Sequence, residues 1–105
     1  MTERDEMNRK IAAWLGWRAD QRGGWAHDSN VNMVHFALPN FFTDEAANAM
    51  LLEAMPLPHV WKNPSGEWTC EPNGDGGFAE VVETAKDRKT AICMAFIAWK
   101  EAENG

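Results

Sequence analysis

The chain is poor in the residues that covalent bracing and metal chemistry need. It has two cysteines, Cys70 and Cys93, and three histidines, His27, His35 and His59. No CxxC, HxH or HExxH spacing joins them, so a metal site would have to be assembled from distant segments. GxSxG is absent, and Gly74-Asp75-Gly76-Gly77 lacks the lysine and following helix of a phosphate-cradling loop. His59 and Cys70 lie on strands expected to pair, and would make a thiolate pair only if register brought them together. No catalytic residue, metal ligand or cofactor is expected, and two thiols in a reducing compartment need no disulfide.

Long apolar runs are missing as well. None reaches the length of a membrane span, and Met1 leads into a charged run rather than a signal-like apolar stretch. The expectation is a cytoplasmic protein without membrane association. Positive charge is the third scarcity, with 10 Lys and Arg against 16 Asp and Glu and a net charge of −6. From Gly23 to Trp61 the chain carries Asp28, Asp44, Glu45 and Glu53 but no Lys or Arg. That balance disfavours direct binding to nucleic acid or an anionic membrane. The acidic belt is either a solvated face or a surface imitating nucleic-acid phosphate.

What is abundant is tryptophan, with six in 105 residues. So many large amphipathic rings must build the core or a contact face. The length and the 45% hydrophobic content fit one globular domain, 1–105.

Three helices are expected. The first spans Thr2 to Leu15, capped by Thr2, with Met7, Ile11, Trp14 and Leu15 as its apolar stripe and Gly16 as its left-handed stop. The second spans Asp44 to Met55, with Thr43 as cap and Phe42 as a possible staple, and is halted by Pro56 and Pro58. The last runs from Asp87 to Glu103. Its stretch Ala91 to Trp99 has no charge, so it is buried on more than one side, by the first helix or by a second subunit in a homodimer.

Between the first two helices the chain reads as irregular, with one short strand at Asn32 to Ala37. After the second, His59–Lys62 and Glu67–Cys70 flank the turn Asn63-Pro64-Ser65-Gly66 as a hairpin. Asn73–Gly77 is a loop, and Phe78–Glu83 a third strand completing an antiparallel meander. Trp61 and Trp68 are expected to be neighbours across the hairpin.

Several pieces together resemble the phage ABA sandwich domain family. They are Ile11-Ala12-Ala13-Trp14-Leu15-Gly16-Trp17, the Pro39-Asn40-Phe41-Phe42-Thr43-Asp44 approach to the second helix, the Trp61…Gly66…Trp68 hairpin, and Ala91-Ile92-Cys93. The resemblance implies an α+β fold, an alpha-beta-alpha sandwich with a short antiparallel meander flanked by three helices. It also implies a bacteriophage or prophage origin, hence the cytoplasm of a bacterial host cell, and carries over no catalytic residue. Arg88-Lys89, in the first turn of the last helix, depart from the family pattern and oppose the helix dipole.

Two functions follow as expectations. The first is a non-enzymatic accessory protein that binds a host protein as a host-directed inhibitor, such as an anti-defence or anti-CRISPR protein. Its contact residues would be Asp44, Glu45, Glu53, Trp61 and Trp68. The alternative is a binder that sequesters a nucleotide-like signal, with Trp17 and Trp25 stacking on the base and Arg18 or Arg22 meeting phosphate.

Overall fold

In the computed structural model, residues 3–55, 57–72 and 82–104 are described. The chain divides into two units, Met1–Asn40 and Phe41–Gly105. Among the described residues, three helices and two three-stranded antiparallel sheets make it an α+β protein.

The first unit holds α1 (Glu3–Trp14) and the strands β1 (Trp17–Ala19), β2 (Trp25–His27) and β3 (Asn30–His35), paired in the order β1-β2-β3. Glu3, Asp5 and Glu6 place negative charge at the positive end of the α1 dipole. Ile11 and Ala12 are buried, while Met7, Trp14 and Leu15 are half-buried. Gly16 ends the helix at φ 96°, its N–H donating to the Ala13 carbonyl at 3.2 Å. Thr2, the expected cap, lies outside the described residues.

The segment expected to be irregular is therefore a small sheet, and its one expected strand begins two residues earlier, at Asn30. Strands of three residues carry too little alternation to be read as such. A glycine turn defines them instead, with the Asp20 N–H donating to the Gly24 carbonyl at 2.8 Å and Gly23 at φ 97°. Gly24 is also a point of close approach. A Cβ there would run into the His35 carbonyl oxygen and the Val34 side chain. Gly24→Ala is expected to lower stability by about 2 kcal/mol, read from a denaturant midpoint. An unchanged midpoint would mean that β3 yields freely.

The second unit holds α2 (Glu45–Ala54), β4 (Pro58–Lys62), β5 (Trp68–Pro72), β6 (Glu83–Ala85) and α3 (Arg88–Asn104). Its sheet runs β4-β5-β6, the expected meander. The expected loop at Asn73–Gly77 and most of the expected strand at Phe78–Glu83 lie outside the described residues; the observed third strand is Glu83–Ala85. The α2 cap is Asp44 rather than Thr43, its carboxylate accepting from the Ala47 N–H at 3.2 Å. One residue's shift also removes Phe42 from the staple position, and Phe42 is buried in its own right.

The apolar girdle of α3 is used within the unit, since α3 packs on β5 and β6 and α2 packs on α3. Ala91, Ile92, Cys93, Ala95 and Phe96 have no exposed surface. Asn48 is the polar pin of this core. Its amide donates to the Phe41 carbonyl at 2.8 Å and to the Lys89 carbonyl at 3.1 Å, and the Cys93 thiol also donates to Phe41 at 3.1 Å. The unexpected cations at the start of α3 have a partial explanation. The Lys89 ammonium pairs with Glu45 in the first turn of α2 at 2.8 Å, while Asp87 accepts from the Thr90 N–H at 3.0 Å and so caps α3.

Candidate functional site

Each of the nine residues singled out in the sequence has a definite place. In the first unit, the Trp17 ring meets His27 and His35 edge-on, each 5.1 Å between centroids. The Arg18 guanidinium donates to Asp28 at 2.9 Å. Arg22 makes a two-pronged pair with Asp20 at 2.7 and 3.0 Å and also donates to the Val31 carbonyl at 3.0 Å. The hydrogen bond from Arg22 holds the Asp20 carboxyl down at about 2. Both arginines proposed to meet phosphate are thus engaged with carboxylates of their own sheet. Trp25 carries the Arg9 guanidinium 5.9 Å from its ring centre. It lines an open groove of about 250 Å³ with Asp5, Asn8, Arg9, Leu38 and Asn40.

His27 is held as one tautomer. The Ser29 N–H donates to its Nδ1 at 3.1 Å, which leaves Nε2–H to donate to the Leu15 carbonyl at 2.7 Å. A ring tied at both nitrogens orients the β2–β3 turn.

The acidic belt dissolves on inspection into local pairs. Asp28 answers Arg18, Asp44 caps α2, and Glu45 answers Lys89, whose hydrogen bond lowers the Glu45 pKa. Glu53 lies exposed on α2. The partners of Asp28 and Glu45 come from outside the Gly23–Trp61 window, which is why the sequence showed the acids as a bare run.

Trp61 and Trp68 are not neighbours on one face, contrary to expectation. The observed register pairs Trp61 with Thr69 and Lys62 with Trp68, so the two indoles project to opposite faces. The cause is the turn. Asn63 N–H donates to the Glu67 carbonyl at 2.7 Å, and Gly66 stands at φ 94°, so the connection closes as Pro64–Gly66 rather than Asn63–Gly66. A one-residue slip turns every later side chain over. The same slip separates His59, opposite Glu71, from Cys70, opposite Val60.

Cys70 is fully buried, and burial pushes its thiol up to about 11. Because the fold favours the neutral thiol, this contribution to stability is intact below about pH 9 and is lost as pH rises towards about 11. Neither Cys70 nor Cys93 is expected to react with iodoacetamide at mildly alkaline pH until the chain unfolds. Rapid labelling of the native protein would contradict this.

A surface of the second unit combines an exposed aromatic ring with ordered polar groups. On the face of the meander turned away from Cys70, Trp61, Thr69 and Thr84 stand in one transverse row. Trp61 is 41% exposed, yet its indole N–H donates to the Asn63 side-chain oxygen at 3.0 Å. The Asn63 amide then donates to the Thr69 hydroxyl at 2.6 Å, and the Thr69 and Thr84 hydroxyls lie 3.0 Å apart. His59 and Glu71 form the adjacent row. Three of these residues escaped the sequence reading, since Asn63 reads as turn and a lone Thr on a strand reads as β-propensity. Only the correct register assembles them.

Among the described residues, no three His, Cys, Asp or Glu side chains come together as a metal site, and no helix is long and apolar enough to cross a membrane. Comparison of the chain with protein-family models, with curated proteins and with solved structures gave no match.

Proposed function

We propose that this protein acts by binding another protein, with the Trp61 face of the meander as its contact surface. The carrying observation is that Trp61 is both exposed and held. An indole is a large amphipathic anchor, and a ring already ordered costs less to immobilise on binding. Here the chain from Asn63 through Thr69 to Thr84 fixes the ring before a partner arrives. His59, Glu71 and Thr84 supply a polar rim, the arrangement in which interface energy concentrates on one aromatic residue. Trp68, on the opposite face, is left out of this surface, and Asp44 and Glu45 serve the fold. Glu53 lies exposed on α2, which packs on α3, and is not part of the meander face.

The partner suggested by the resemblance to phage proteins is a host protein, and the activity that of a host-directed inhibitor. Trp61→Ala is expected to weaken binding at least about thirtyfold, as truncating a hot-spot aromatic does. Asn63→Ala, which frees the ring without removing it, should cost less. The check is calorimetric titration of the captured partner against each variant. Equal affinity of wild type and Trp61→Ala would place the contact elsewhere.

The groove beside Trp25 favours the second reading, capture of a nucleotide-like ligand. Saturable quenching of tryptophan fluorescence across a nucleotide panel, lost in Trp25→Phe, is its test.

A further inference from the structure

The groove beside Trp25 is a built feature of the first unit. Asp5, Asn8 and Arg9 stand at i, i+3 and i+4 on α1, so one face of that helix forms a wall. The Asn8 amide donates to the Pro39 carbonyl at 2.8 Å, which ties the segment carrying Leu38 and Asn40 to the helix as a second wall. Trp25, half-buried on β2, and Leu38 supply the apolar surface.

Arg9 is the unspent cation of this groove. Arg18 and Arg22 are each taken up by a carboxylate of their own sheet. Among the described residues Arg9 makes no hydrogen bond and no ion pair, and its guanidinium stands over the Trp25 ring, 5.9 Å from the centre. A guanidinium steadied by an aromatic ring keeps its fork of N–H donors for an oxyanion, which it can grip with two parallel bonds.

Size and charge narrow the ligand. A space of about 250 Å³ falls just short of the usual range of ligand pockets, so it suits one ring system with an acid group. Asp5, one helical turn from Arg9, opposes a second negative charge on that ligand, as does the net charge of −6. A singly charged anion meets the guanidinium without that opposition, and Trp25 and Leu38 receive its flat apolar body.

We propose that this groove binds a small flat monoanion, an aromatic ring carrying one carboxylate or one phosphodiester, and that Arg9 holds its acid group. Arg9 thereby replaces Arg18 and Arg22 as the anion contact of the second reading above, on which this assignment rests for its use of the groove. The Trp61 surface is independent of it. With one charged contact in an open groove, a dissociation constant of about 0.1 mM is expected, and so loose a ligand is shed during capture from a lysate.

Nuclear magnetic resonance titration, following the Trp25 indole N–H and the Arg9 side-chain N–H, tests this. The probes are cyclic nucleoside monophosphates, which carry one phosphodiester, the uncharged nucleosides, and the aromatic carboxylates benzoate and indole acetate. Both signals are expected to shift saturably with a charged probe and not with the nucleosides. Arg9→Gln, at an exposed helical position, should keep the thermal midpoint and raise the dissociation constant at least about tenfold. Arg18→Gln should leave binding unchanged. Nucleosides that bind as well as their cyclic monophosphates, with Arg9→Gln indifferent, would overturn the role of Arg9 and leave nucleotide capture standing. Carboxylates binding alone would support the anion contact and remove the nucleotide. No saturable shift with any probe, or shifts confined to residues away from Trp25, would overturn both.

Discussion

Phe96→Ala is expected to cost about 4 kcal/mol of stability, the range for emptying a fully buried aromatic site. Phe96 has no exposed surface and stands T-shaped against Trp99, ring centres 5.8 Å apart. It sits in α3, the element that joins α2 to the meander, so the cavity opens where two packing surfaces meet. Both sides are regular elements fixed by their own hydrogen bonds, which limits collapse into the space. Against a total stability of roughly 5–15 kcal/mol, such a loss leaves the variant near its unfolding threshold at growth temperature. Guanidinium unfolding followed by far-UV circular dichroism measures it. A loss below about 1 kcal/mol would mean that α3 is not the centre of this core. Phe96→Leu, which keeps much of the volume, should retain most of the lost stability.

The second large effect is expected from Asn48→Asp. Asn48 is 1% exposed, and its amide N–H groups face two carbonyl oxygens, those of Phe41 and Lys89. A carboxylate there would set negative oxygen against both carbonyls and bury a charge at a site 1% exposed. The cost is about 4 kcal/mol or more, the combined loss of two buried hydrogen bonds and the burial of charge. Asn48→Ala is the control. It removes the donors without adding charge, and the Cys93 thiol still donates to Phe41, so about 2–3 kcal/mol is expected. The order of the two variants separates donor chemistry from simple packing. If Asn48→Asp cost little while Asn48→Ala kept its cost, Asn48 would be acting as volume alone.

Local signals in the sequence located the helices well. Acidic first turns at α1 and α2, the Gly16 stop and the uncharged run of α3 place the three helices to within a residue or two, because each signal is local in the chain. The cap of α2 missed by one position because Thr43 and Asp44 are both good caps, and only the geometry chooses between them. β1 and β2 were illegible for a different reason. Three residues such as Trp17-Arg18-Ala19 show no alternation, and their pairing is set by the glycine turn at Gly23-Gly24 and by what β3 allows.

The candidate site was half legible. Trp61 was singled out as a contact residue on composition and place in the hairpin. Its true neighbours depend on register, and register depends on whether Asn63 belongs to the turn or pairs with Glu67. A difference of one residue exchanged Trp68 for Thr69 and created the Asn63–Thr69–Thr84 chain. The acidic set misled because charge along a sequence window says nothing of cations arriving from elsewhere, here Arg18 and Lys89.

If the protein works by engaging a protein partner through the ordered Trp61 face, loss of the indole should cost it that partner. Native mass spectrometry of tagged wild-type chain and Trp61→Ala, each captured gently from a bacterial host lysate, tests it most directly. A stoichiometric adduct of protein mass is expected on the wild type and should be lost in Trp61→Ala. An adduct of small-molecule mass, or a protein adduct that survives loss of the indole, would contradict it.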